Sequence, residues 1–254
     1  MSVSIAIMGL VVGCLVGLTG VGGAALLTPL LIVMGINPSI AVGTDLVYNS
    51  ITKLFGVSQH WKQNTINFKM VKYLALGSVP SAVIAIGTLH LFPAFHQHQE
   101  QIIKHALGYV LTFVAISIIV RVFFDKKFRP NRWQLQPLEQ KRTLTILIGV
   151  FFGFIVGLTS IGSGSLFAIA MLYLYRMKTS ELVGTDIAHA FLLVTVAGIL
   201  SASFGSVDYM LVANLLIGSI PGVIAGSKLS TKVPSKPLQA VLASILLISG
   251  MKLI

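Results

Sequence analysis

Long apolar runs, each interrupted by a few polar residues or glycines, cover the chain almost from end to end. Six of them have the length and continuity of helices. They lie near 40–58, 71–91 and 102–123 in the first half, and near 182–203, 209–228 and 237–254 in the second. A helix needs about 20 apolar residues to cross a bilayer, so these runs predict membrane spans. Each set of three follows a run of a different kind, about 4–35 and about 143–175. Here glycines and hydroxyls fall in the middle of the apolar stretch: "GLTGVGGAALLTPLL" from Gly17 to Leu31, and "GLTSIGSGSLFAIAM" from Gly157 to Met171. Glycine is a poor helix former, so each of these two runs is expected to break there into two arms of roughly 14–16 residues. One long run carries a polar stripe. Asp45, Tyr48, Asn49, Thr52, Lys53 and Gly56 recur at helical spacing on one face, which predicts a face turned to a cavity or a partner and away from lipid.

The two broken runs are copies of one another. Gly13, Gly17, Leu18, Thr19, Gly22 and Leu26 reappear as Gly153, Gly157, Leu158, Thr159, Gly162 and Leu166, an offset of 140. "VGTD" at Val42–Asp45 returns at Val183–Asp186, and "GSVP" at Gly77–Pro80 returns as "GSIP" at Gly218–Pro221, both at offset 141. Three blocks in one order at one offset, with a single-residue slip, mark an internal repeat. Charge then orients the copies. The loop near 59–72 holds Lys62, Lys69 and Lys72, whereas its counterpart near 200–213 holds only Asp208. The loop after Leu91 has Lys104 alone, against Lys228, Lys232 and Lys236 in its counterpart. Corresponding loops alternate in bias, as inverted repeats require. With the basic loops inside, the central stretch Asp125–Arg142 is cytoplasmic and both termini are external. Each broken run must then enter and leave on one side. The expected fold is an all-α polytopic membrane protein of two inverted repeats, each a broken, re-entrant helical hairpin followed by three transmembrane helices. The divisions are 1–124, a basic linker at 125–142, and 143–254, forming one integrated transmembrane domain.

Composition agrees and narrows the classes. The 254 residues are 55% hydrophobic and 10% charged, against about 25% charged in soluble domains. A net charge of +11 could suggest nucleic acid, but the cations sit in short loops between spans and no groove-reading or RNA-stacking module accompanies them, so no nucleic-acid partner is expected. The partners expected are the lipid bilayer and a small solute, with homo-oligomerisation left open. The single cysteine, Cys14, lies in an apolar run and reads as a small packing residue. No cofactor is implied, and no phosphate-binding loop is present to drive pumping.

The candidate chemistry lies where the apolar pattern breaks. Bent backbone at membrane depth survives only where protein or a watery cavity satisfies it, and the helix that follows each bend offers free N–H groups and the positive end of its dipole to an anion. That nominates Thr19, Gly20, Gly22 and Gly23 in the first tip and Thr159, Gly162, Ser163, Gly164 and Ser165 in the second. Close helix packing through small residues is the competing explanation. Asp45 and Asp186 are carboxylates inside apolar helices, a costly placement that points to proton coupling or to a held partner. His189 could titrate beside Asp186, or be a hydrogen-bonded packing residue. Lys53 and Asn49 on the polar stripe, with Thr44 and Thr185 beside the aspartates, complete the set. The histidines of "LHLFPAFHQHQE" (Leu89–Glu100) look like metal ligands but fall in a short, proline-broken loop, so no metal site is expected.

At "GLTGVGGA", "AVGTDL", "GSVPSAVIA", "VGTDIAHA" and "GSIPGVIAG" the chain resembles the TauE/SafE family of membrane permeases, over almost its full length. The resemblance implies a carrier of sulfite, sulfonates or related organosulfur anions, with the glycine tips and the helices after them lining the path. The chain departs from the family pattern in having Ser160 and Ser163 in a tip that is usually richer in glycine, and aspartate at 45 and 186 where many members have serine. The function expected is secondary transport of a small anion by alternating access, with coupling to protons. The alternatives are a cation or metal permease using Asp45, Asp186 and His189 as ligands, and an intramembrane enzyme. For the second, Ser163, Ser165 and His189 are the only raw material, since neither an HExxH nor a GxSG pattern occurs.

Overall fold

The computed structural model describes residues 3–19, 24–123, 132–229 and 235–254. These are helical almost throughout, with no strand among them. The first broken run is α1 (Val3–Thr19) and α2 (Ala24–Val33), followed by α3 (Pro38–Lys62), α4 (Phe68–Leu91), a one-turn α5 (Pro93–His96) and α6 (Gln99–Phe123). After a short 3-10 turn at Arg132–Leu135, the second half runs α7 (Arg142–Thr159), α8 (Leu166–Leu174), α9 (Thr179–Ser203), α10 (Tyr209–Leu229) and α11 (Ser235–Leu253). Among the described residues, five helices are long and apolar enough to cross a membrane: α4, α6, α7, α9 and α10. The helix α3 is as long as any of them, at 25 residues, but its polar stripe lowers its hydropathy.

The arms of the broken runs are unequal, 17 and 10 residues in the first and 18 and 9 in the second, not the matched arms expected. The glycine block sets the break, but the chain leaves the short arms early, at Gly35 with φ +87 and at the extended Tyr175. At about 1.5 Å per residue the short arms span about 15 Å, half a hydrocarbon core. Helix starts follow local chemistry. The Asn37 side chain accepts from the Ser39 N–H at 2.9 Å, with Pro38 in the first turn, and Asn67 accepts from the Met70 N–H at 3.1 Å.

The halves interlock. The long arm α1 packs on α10 of the second half, and α7 packs on α4 of the first. Both pairs approach through glycines. A Cβ on Gly9 would lie 2.5 Å from the Leu215 carbonyl oxygen, and one on Gly149 would lie 2.5 Å from that of Leu74. A Cβ on Gly13 would strike Ser219, and one on Gly153 would strike Ser78. From the other side, Gly218 meets the Ala6 carbonyl and Gly77 that of Ile146. Each contact therefore maps onto its partner when the halves are exchanged, so the pairs are two-fold related. Backbone contact of this closeness is how membrane helices gain packing energy where lipid supplies no hydrophobic drive. The outward faces carry large apolar side chains, among them Phe113, Ile116, Phe151, Ile199, Ile217 and Ile248.

Candidate functional site

The site is built on α3 and α9, which pair antiparallel at the centre. Ser50 and Thr195 share a hydrogen bond at 2.7 Å, Gly198 faces Val47, and Gly56 faces Ile187. Asp45 and Asp186 are each the eighth residue of their helix. In this pairing Asp186 stands level with the region of Gln59, so the carboxylates sit about 14 residues apart along the pair, about 21 Å at 1.5 Å per residue. There are thus two polar centres, one toward each end, with Lys53 of α3 between them and within electrostatic reach of both carboxylates.

The Asp45 centre is crowded with donors. Thr28 of α2 donates to Oδ2 at 2.8 Å, and Asn49 Nδ2 donates to Oδ1 at 2.7 Å and to the Asp45 carbonyl at 2.9 Å. The Ser160 hydroxyl, from the tip of the other half, lies beside the same carboxylate. Tyr48, one turn along, is directed at Ser219 of α10. Asp45 has no exposed surface.

The Asp186 centre is sparse. Its Oδ1 is buried without a hydrogen-bond partner among the described residues. His189, at the position matching Tyr48, shares a hydrogen bond through Nε2 with Ser78 of α4 at 2.8 Å, and its ring meets Phe167 edge-on at 4.3 Å. Its Nδ1 is unpartnered, and so are Ser160 Oγ and Ser219 Oγ in the first centre. Buried polar atoms without partners are uncommon and each calls for an explanation. Among the described residues only Gln99 has such an atom outside these two centres.

The second tip departs from helix at Ser160, which adopts φ 60, and again at Gly162, with φ 101. At Gly162 a Cβ would lie 2.5 Å from the Leu166 side chain, so both conformation and space favour glycine there. Thr159 organises the bend, donating to the Ile155 carbonyl at 2.8 Å and accepting from the Ile161 N–H at 3.2 Å. The Leu166 N–H reaches the Gly162 carbonyl at 3.2 Å. Between them, the N–H groups of Gly162, Ser163, Gly164 and Ser165 meet no acceptor at hydrogen-bonding geometry among the described residues. Ser163 is buried, Gly164 and Ser165 are half-buried, and Ser165 precedes α8 without a side-chain cap. In the first tip, Gly20, Gly22 and Gly23 and the side chain of Thr19 lie outside the described residues.

Thr44 and Thr185 serve the scaffold. Thr44 Oγ1 accepts the Asp208 N–H at 3.1 Å, and Thr185 Oγ1 accepts the Asn67 N–H at 2.9 Å. Beside them, a Cβ on Gly43 would lie 2.0 Å from the Ser206 carbonyl oxygen and one on Gly184 would lie 2.6 Å from that of Thr65. The repeated "VGTD" therefore divides its labour. Glycine admits the other half's loop, threonine clamps it, and aspartate turns inward. Thr28, Ser160, Ser78 and Ser219 stand beside the polar groups of the two centres, and the sequence left them unassigned. A hydroxyl standing where the other copy has alanine, as Thr28 does opposite Ala168, was the available signal. The histidines of the Leu89–Glu100 segment form no group of three metal-ligating residues among those described. Instead His90 contacts Ser206 Oγ at 3.0 Å and stacks on Phe204.

Helices greasy outside, with carboxylates, an amine and an imidazole turned inward between two broken runs, make this a multi-pass membrane transporter. The chain belongs to the sulfite exporter TauE/SafE family, whose description matches residues 5–253. It is 80% identical, over the full length of both chains, to "Probable membrane transporter protein YjnA" of Bacillus subtilis (strain 168). It is 25% identical to YdhB of the same organism, over 95% of this chain and 96% of that one. A third relative, MJ0441 of Methanocaldococcus jannaschii, is 27% identical over 96% of this chain and 92% of its own. No solved structure matches significantly.

Proposed function

We propose that this protein is a secondary transporter of small anions, sulfur oxyanions and organosulfonates foremost, which moves its solute by alternating access and without chemical change. The observation that carries the reading is the second tip. Four consecutive N–H groups of the tip, from Gly162 to Ser165, have no backbone acceptor among the described residues, a donor set before α8 that suits an anion, and Lys53 stands between the two centres. The family description, a sulfite exporter, points to the same class of solute. In this reading the halves are inverted in the bilayer of the cell membrane, the basic linker is cytoplasmic, both termini are external, and the two aspartates lie at different depths. Transport would proceed by opening one centre at a time.

The test is counterflow in proteoliposomes. Vesicles preloaded with sulfite should accumulate labelled sulfite, and thiosulfate or taurine outside should compete if the site is general for the class. Gly162→Leu, which fills the tip, should abolish exchange while the protein still inserts. Exchange of a divalent cation with no anion flux would hand the site to a cation permease, and no flux of either would remove the transport reading.

A further inference from the structure

We propose that the two aspartates, equivalent in sequence, do different work. Asp186 is the coupling carboxylate, exchanging a proton as the solute moves, while Asp45 is a fixed latch joining α2 to α3. The proposal rests on the transport reading above and divides it between residues.

Asp45 has a donor on each oxygen and a hydroxyl beside it, and one donor, Asn49, is itself pinned to the Asp45 carbonyl. Charge-assisted bonds of this kind are strong, and a carboxylate so provided gains little from an added proton. Asp186 has lost the equivalents. Thr28 corresponds to Ala168 and Asn49 to Ala190, neither of which has a side-chain donor. A buried carboxylate with an unpaired oxygen is costly, so it gains from a proton or a nearby cation.

The groups that face Asp186 are few. Lys53 faces it from α3, within electrostatic reach but beyond the 4.0 Å of an ion pair. His189 lies one turn along α9, and its Nε2 is engaged by Ser78 of α4. On α8, the apolar Phe167 packs edge-on against the His189 ring. Among the described residues, Lys53 is therefore the one charge within electrostatic reach of both Asp186 and Asp45. When Asp186 takes a proton, the Lys53 charge is left to a passing anion. When the anion leaves, the proton leaves with it and Lys53 again compensates Asp186. The cycle moves one proton with each monovalent anion, and it balances without another ion.

Four full-length proteins decide the matter: wild type, Asp186→Asn, Asp45→Asn and Thr28→Val. Sulfite uptake into proteoliposomes is measured with and without a pH gradient, and Tm is measured in detergent. Asp186→Asn should lose the response to the gradient and unfold at or above the wild-type temperature. Thr28→Val removes one latch donor but no charge. It should lower Tm by about 3–6 °C and keep the gradient response, and Asp45→Asn should destabilise further. A wild-type gradient response in Asp186→Asn, or its loss in folded Thr28→Val, would overturn the assignment. If wild type moves no sulfite, the transport reading fails separately. The carboxylates are then distinguished by infrared difference spectra between acid and alkaline pH. Loss of the protonated-carboxyl band in Asp186→Asn supports the division, and its loss only in Asp45→Asn reverses it.

Discussion

The two halves agree where backbones touch and differ where polar groups face inward. On the scaffold the match runs residue by residue. Gly9 on Leu215 answers Gly149 on Leu74, Gly13 on Ser219 answers Gly153 on Ser78, and Gly43 with Thr44 answers Gly184 with Thr185. In the polar centres it fails at most positions, where Tyr48, Asn49, Lys53 and Thr28 stand opposite His189, Ala190, Val194 and Ala168. The physical reason is that carbonyl oxygens about 2–3 Å from a missing Cβ leave one acceptable residue, whereas a polar centre accepts many arrangements whose energies differ modestly. A duplicated frame therefore holds its shape while the chemistry inside it specialises.

That contrast can be broken at either level, the frame giving the largest effect. Gly77→Ala puts a Cβ 2.1 Å from the Ile146 carbonyl oxygen, while Gly87→Ala, ten residues on in α4, meets only a side-chain carbon at 3.9 Å. The first should cost about 3 kcal/mol or more and abolish a monodisperse peak in size-exclusion chromatography. The second should be neutral or slightly stabilising, since alanine is the better helix former. Next comes a transplant of the latch. Ala168→Thr with Ala190→Asn gives Asp186 the donor types that hold Asp45, and sulfite exchange should fall about tenfold or more as the centre is pinned, for ~1.4 kcal/mol of added ground-state stabilisation. Unchanged exchange with raised Tm would show that a pinned Asp186 still works.

A smaller effect is expected where the start of α7 meets the end of α8. Lys141 Nζ donates to the Leu174 carbonyl at 2.8 Å and lies 4.1 Å above the Tyr175 ring, and Tyr175 is also hydrogen-bonded to Thr145. Lys141→Ala should cost about 1.5 kcal/mol, a Tm loss of about 3–6 °C, with transport retained at lower temperature. The smallest effect belongs to the surface pair Lys69–Glu139. The hydrogen bond from Lys69 holds the Glu139 carboxyl below its usual range, but both side chains are more than half exposed and exposed pairs contribute little. Glu139→Gln should leave Tm within error.

Much of the molecule could be read along the chain. Apolar run length predicted six full helices, and the glycine block at 162–164 predicted the break in the second run. The repeat and the polar stripe from Asp45 to Lys53 also pointed to the residues that turn inward. Arm lengths could not be read, because where a short helix stops depends on the elbow that follows, Gly35 in one half and the extended Tyr175 in the other. Nor could the roles of Thr44 and Thr185 be seen from their position beside aspartates, because the loops they clamp belong to the other half, more than a hundred residues away.

What the sequence determined by itself was periodic or local: helix, break, repeat and membrane environment all follow from residue spacing and transfer energy. What only the tertiary structure decided was which of two identical "VGTD" aspartates is satisfied. Thr28 donates to Asp45 from 17 residues before it, Asn49 donates from 4 residues after it, and no such donors meet Asp186 among the described residues. A hydrogen bond is made by distance in space, and in this fold that distance is set by how the helices pack.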